Sequence, residues 1–327
     1  MRATSVFAPA KINLTLHVTG LRTDGYHLLD SLVAFAPVGD GLVIEPGDTL
    51  SVTVEGPEAA GVPADMSNLV LKAAAFLAES AGVARGASFL LDKRLPPASG
   101  IGGGSSDAAA AIRGLMAFWE LSPETDLDPA HGARAQDPAQ QEAMTAEMPP
   151  RLAGLSRGLA KLGADVPMCL VPRPLRVGGI GEVLTRVDLP PLPALLVNPR
   201  VEVPTPAVFK ALALKDNPAM PETLPNFAGT SDCIEWLATQ RNDLQAPAIA
   251  TAPVIAEVIT ELSTLPGCRL ARMSGSGATC VALFETEDAA CDAEVRLAAQ
   301  RPGWWIASGN LGDQTQKAQP RSHAPSS

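Results

Sequence analysis

Three short segments hold the residue types that could do chemistry. LPPASGIGGGSSDAAAA (95–111) places a run of glycines and serines between an apolar stretch and an alanine-rich one. Glycine lets a backbone approach an anion closely, and a helix opening on such a run offers unpaired N–H donors at its positive end. The pattern implies phosphate binding by backbone, although a flexible turn before a helix would read the same way. It is not a GxxxxGK[ST] loop, because no lysine follows the glycines. Asp107 suits the helix dipole but would repel a bound phosphate, so it either faces away from the anion or helps recruit a divalent cation.

The second segment is KLGADVPMCL (161–170), where Asp165 stands just before Val166 and Pro167 in apolar surroundings. Alone, such an aspartate caps a helix or closes a turn. With Lys11 as a cationic partner it could instead take a proton from a bound hydroxyl. The third segment, RMSGSGATC (272–280), is by itself a tight turn between apolar strands. Two glycine-rich turns in one acidic chain together suggest a polyphosphate-sized ligand between two domains.

These residues need elements to position them. Residues 11–18 alternate, with Ile12, Leu14, Leu16 and Val18 apolar and Lys11, Asn13, Thr15 and His17 between them. That predicts a half-buried strand with Lys11 and Asn13 on one face. GLVIEP (41–46) and TLSVTVE (49–55) read as partner strands, and ASFLLDK (87–93) as a strand feeding the glycine loop. A helix is predicted from Ser67 as N-cap to a stop at Gly82, and another over 105–121. RLAGLSRGLAKLG lines up Leu152, Leu155, Leu159 and Leu162 on one helical face. Proline-rich 187–197 reads as a domain boundary, 251–267 as a helix, and 268–284 as strand, glycine turn, strand. Residues 122–150 lack periodicity and read as an exposed insertion, and 312–327 as a disordered tail.

The 327 residues suffice for two domains, and 46% hydrophobic with 18% charged residues is a globular balance. A net charge of −10 argues against nucleic-acid or anionic-membrane binding. Five scattered cysteines without a CxxC pair read as buried thiols in a reducing compartment, and four dispersed histidines give no zinc site. With no apolar leader and no long apolar run, a cytoplasmic chain with no membrane segment is expected.

Together the segments resemble the GHMP kinases. The family pattern Pro-x-x-x-Gly-Leu-Gly-Ser-Ser-Ala is similar, with small offsets, to Pro97-Ala98-Ser99-Gly100-Ile101-Gly102-Gly103-Gly104-Ser105-Ser106. PAKINLTLHVTGLRTDGYHLL (9–29), GADVP, SGSGA and VPTPAVF (203–209) narrow the resemblance to members that phosphorylate a cytidine-linked isoprenoid precursor. The resemblance implies an α+β, two-domain GHMP kinase fold with the active site in the interdomain cleft. Residues 1–187 would form the N-terminal domain and 188–311 the C-terminal one.

ATP and Mg²⁺ are the implied cofactors, with metal ligands unknown, and a cytidine diphosphate-linked methylerythritol is the implied small-molecule partner of a monomer or homodimer. Lys11 and Asp165 map to the catalytic pair. Pro97, Gly100, Gly102, Gly103, Gly104, Ser105 and Ser106 map to the phosphate loop, and Asn68 and Lys93 to positions near the adenine. Asn13 and Thr205 map to substrate-lining positions. The implied cytosine pocket has Tyr26 and His27 on one side and Phe209 on the other. Two departures stand out: the 122–150 segment is longer than the family's usual link, and Ser99 replaces a glycine.

Overall fold

The computed structural model describes residues 2–122, 155 and 158–323. The expected insertion, apart from Ser122, therefore lies outside the described residues, as does part of the predicted 151–163 helix; within that helix Leu155 and Leu159 are buried.

Eight strands form the first sheet: β1 (Thr4–Asn13), β2 (His17–Leu21), β3 (His27–Gly47), β4 (Leu50–Glu55), β5 (Gly86–Asp92), β6 (Leu175–Gly179), β7 (Val183–Arg186) and β12 (Arg321–Ser322). Its main path runs β12-β1-β3-β5-β4. The 21-residue β3 is the spine, pairing with β2 and β6 along one half and with β1 and β5 along the other. GLVIEP is thus a stretch of β3, and β4 pairs in parallel with β5 instead of with it. A parallel pair needs a crossover, which helix α1 (Leu69–Ser80) supplies. Asn68, not Ser67, caps α1, its Oδ1 accepting from Val70 N at 2.9 Å.

Helix α2 (Gly103–Phe118) begins inside the glycine run and buries Ala108, Ile112 and Leu115 against β1 and β3. The short α3 (Val166–Leu170) packs beside it. A second sheet has the order β11-β8-β10-β9, from β8 (Leu192–Asn198), β9 (Leu270–Met273), β10 (Cys280–Leu283) and β11 (Trp305–Leu311). It carries α4 (Thr205–Lys210), α5 (Thr230–Ala238), α6 (Gln245–Thr251), α7 (Val254–Thr264) and α8 (Glu287–Gln300). The predicted 251–267 helix is α7, which starts after Pro253, while α6 is a separate short helix that ends at Thr251.

The two sheets share apolar packing: Ile12, Leu14, Leu32 and Ala34 lie in one core cluster with Ala194, Leu196, Val281 and Leu283. Asn13, Thr15 and His17 are accordingly buried, not on a wet face; they bond to Ser274, Met220 and Pro218 of the second half.

The expected tail is corrected through His323. Gly312 and Phe35 exchange backbone hydrogen bonds, Ala318 is fully buried, and β12 pairs with β1. The sheet edge of β1 offers backbone partners that polar composition does not reveal. The thiol expectation also needs correction, since Cys291 is exposed and Cys268 half-buried.

Candidate active site

Between the two halves lies a cavity of about 960 Å³, large enough for a nucleotide-sized ligand. Lys11, at the end of β1, donates from Nζ to Asn13 Oδ1 at 2.8 Å and pairs with Asp165 Oδ2 at 3.0 Å. The strand period puts Lys11 and Asn13 on one face, and Asp165 arrives as the residue preceding α3. Lys11 is 5% exposed, whereas the Asp165 side chain is 36% exposed and open to the cleft. An ammonium and a carboxylate so placed can orient a hydroxyl and accept its proton.

The glycine loop passes directly over this pair. Gly102 has φ +67°, and a Cβ there would sit 3.1 Å from Lys11 Cε and 3.8 Å from Asp165 Oδ2. Gly102 precedes α2, so the amides of Gly103, Gly104 and Ser105 have no carbonyl one turn earlier. They stand at a helix N-terminus on the cleft wall, where free N–H groups can bind an anion. Ser106 does not join them: its N–H bonds Gly102 O at 2.8 Å, and its buried hydroxyl donates to Pro9 O at 2.7 Å.

Lys93 and Asn68 are also withdrawn from the cleft. Lys93 Nζ lies 2.5 Å from Asp40 Oδ2 and 2.7 Å from Asp107 Oδ2, with all three groups buried. Both polar ends of Asn68 are engaged, one capping α1 and the other donating to Pro63 O. Pro97 is exposed outside the cavity wall. Asp107 therefore faces inward beneath the loop. One ammonium balances only one of two carboxylates, and burial pushes Asp107 up to about 8 against the pull of Lys93, with Asp40 adding to the rise.

The SGSGA turn closes the other side. A Cβ on Gly100 would lie 2.6 Å from Gly277 O, so the two glycine turns touch backbone to backbone. Asn13 N donates to Ser274 Oγ, and the hydroxyls of Thr205 and Ser276 are 2.8 Å apart. His27 and Phe209 meet with centroids 4.8 Å apart at 30°, too close to admit a base between them as they stand. Tyr26 remains 59% exposed, and His27 Nε2 is buried without a described partner. Burial, aided by the charge of Lys215, lowers the His27 pKa.

The structure thus gathers Lys11, Asp165, Gly100, Gly102 to Ser105, Asn13, Tyr26, His27, Thr205 and Phe209 around one cavity. Sequence reasoning missed Asp40, which holds Lys93 and accepts from the amides of Arg94 and Leu95. A lone carboxylate between two glycines in an apolar run was the available signal. It also missed Ser31 and Lys210 on the cavity wall.

Residues 68–137 match the GHMP kinases N terminal domain and 224–302 the GHMP kinases C terminal domain. The 4-diphosphocytidyl-2-C-methyl-D-erythritol kinase of Dinoroseobacter shibae is 54% identical over 302 residues, covering 92% of each chain. Its namesake in Cereibacter sphaeroides is 49% identical over 310 residues, covering 94% of this chain and 99% of the relative. A crystal structure of 4-(cytidine 5'-diphospho)-2C-methyl-D-erythritol kinase superposes with TM-score 0.69 at 33% identity, over 94% of this chain and 99% of that one. Homoserine kinase from Cytophaga hutchinsonii shares the fold, with TM-score 0.63 at 18% identity over 99% of this chain and 98% of that one. With two α+β halves, a glycine loop over a lysine–aspartate pair and relatives this similar along nearly its whole length, the chain belongs to the GHMP kinase family.

Proposed function

We propose that this protein transfers the γ-phosphoryl group of ATP to the 2-hydroxyl of 4-diphosphocytidyl-2-C-methyl-D-erythritol, the ATP-dependent step of the non-mevalonate isoprenoid route. The observation that carries the reading is the 3.0 Å Lys11–Asp165 pair directly beneath the Gly102–Ser105 amides. A hydroxyl beside Asp165 and a γ-phosphate on the loop would then face each other.

Asp165 takes the hydroxyl proton as the oxygen bonds to the γ-phosphorus and the bond to the bridging oxygen of ADP breaks. Lys11 holds the carboxylate in place through the same contact, and the free loop amides accept the charge that spreads over the transferring oxygens. Mg²⁺ fits a cleft with few protein carboxylates, because it is held largely by phosphates and water. No cluster of three or more His, Cys, Asp or Glu occurs among the described residues. Ser105 on the cavity wall would be its hydroxyl ligand, and the ion would neutralise phosphate charge.

Tyr26 and Phe209 supply aromatic faces for the cytosine, and the unpartnered His27 Nε2 supplies a hydrogen-bonding atom at its edge. Seating the base requires the His27–Phe209 stack to part or the base to stack on Tyr26.

Asp165→Asn tests the catalytic assignment. Turnover should fall by roughly 10² or more while ATP affinity by calorimetry stays near parental. Near-parental turnover would remove Asp165 from the mechanism.

A further inference from the structure

Arg113 lies in the middle of α2, on the helix that begins at the phosphate loop, and takes no part in the steps above. Its guanidinium donates in three directions: Nη1 to Cys169 O at 2.6 Å, Nη2 to Phe7 O at 2.9 Å and Nε to Ala318 O at 3.2 Å. Cys169 belongs to α3, whose preceding residue is Asp165, and Phe7 belongs to β1, which ends in Lys11 and Asn13. Ala318 lies in the C-terminal segment that returns to the first sheet.

Both catalytic elements need an outside anchor. Helix α3 has five residues, and its Cys169 N–H reaches Asp165 O at 3.3 Å. So short a helix does not hold itself in place. On β1, the edge facing away from β3 is covered by β12 only at Thr4 and Ser5. Farther along, every second residue is met from the α2 side: Phe7 O by Arg113, Pro9 O by Ser106 Oγ, and Lys11 N by Ile101 O. Arg113 alone among these three contacts also reaches α3. Burial lowers its pKa to about 10, which leaves it charged at neutral pH.

We infer that Arg113 is a positioning residue for the Lys11–Asp165 pair, setting the distance between β1 and α3 by gripping a carbonyl of each from one rigid fork. The inference rests on the catalytic reading of that pair. A misplacement near 1 Å in such a site can cost on the order of 10²-fold in rate. Lysine keeps the charge but has a single donor centre and cannot span three carbonyls.

The test is steady-state kinetics of Arg113→Lys and Arg113→Met, with ATP affinity by calorimetry and the thermal midpoint measured on the same samples. The expected result is a kcat lowered about 10-fold in the lysine variant and further in the methionine variant. Both KM values and the ATP affinity should stay within about twofold. If the methionine variant fails to fold, the lysine variant carries the test. A parental kcat in folded Arg113→Lys overturns the inference, as does a loss of kcat that merely follows a loss of folded protein. Asp165→Asn assayed alongside separates the claims. Near-parental turnover there removes the catalytic reading and this inference with it. Lost turnover there, with parental kcat in Arg113→Lys, removes the role of Arg113 alone.

Discussion

At Lys11 the ammonium meets Asn13 Oδ1 at 2.8 Å and Asp165 Oδ2 at 3.0 Å, and Gly102 crosses above it with no side chain to interfere. The same economy of space governs Gly100, where φ is +76° and a Cβ would stand 2.6 Å from the Gly277 oxygen and 2.9 Å from its nitrogen. Both obstacles are backbone, so neither can swing aside. Gly100→Ala should therefore cost about 1–3 kcal/mol by chemical denaturation and weaken ATP binding. Gly104→Ala, whose Cβ would meet only the end of the Leu69 side chain at 3.3 Å, should cost clearly less. Equal losses in the two variants would contradict the close approach of the glycine turns. Lys11 and Asn13 were legible in the sequence because strand alternation alone sets them on one face. Lys93 was not, since Asp40, 53 positions away, is what draws its ammonium under the loop.

The elements are held together through buried polar groups, and His17 on β2 shows how. Its Nε2 accepts from Arg241 N at 3.2 Å while Nδ1 faces Pro218 O at 3.1 Å, an arrangement that suits the neutral ring. Burial lowers its pKa, the charge of Arg241 adds to the effect, and the Pro218 carbonyl, Asp243 and Asp30 oppose it. Unfolding frees the ring to take up a proton near its ordinary pKa of about 6.5, so the unfolded chain binds more protons below that value. Stability present above it is lost as the pH falls towards the lower folded value. Urea midpoints should decline between roughly pH 7 and 5.5, and His17→Gln should flatten that decline. An unchanged slope in the variant would place the acid sensitivity elsewhere, with His27, shifted in the same direction, the next group to test. Helix α1 was readable to within one residue, with Ser67 expected and Asn68 found as the cap. The 21-residue β3 was not, because its partners change along its length and no local pattern marks the change.

Across the whole molecule, the two sheets are joined by shared apolar packing and by long polar reaches. Arg272 on β9 donates to Leu14 O at 2.9 Å, and Arg200 pairs with the buried Glu58 at 2.7 Å. The break between the sheets falls between Arg186 and Leu192, across the prolines at 190 and 191. The C-terminal segment defied its composition: Lys317 lies 4.6 Å over the Phe7 ring and Arg321 pairs with Ser5, contacts fixed by partners more than 300 residues away in sequence. What the halves build jointly is one cavity with the glycine loop and a lysine–aspartate pair from the first, and Thr205, Phe209 and the SGSGA turn from the second. Both halves should therefore matter to acceptor choice. ADP release with ATP and Mg²⁺ is the direct measurement, comparing 4-diphosphocytidyl-2-C-methyl-D-erythritol with mevalonate, homoserine and no acceptor. Turnover confined to the cytidine compound is the predicted result. Turnover with mevalonate or homoserine instead, or with none of them, would contradict the assignment of this cleft.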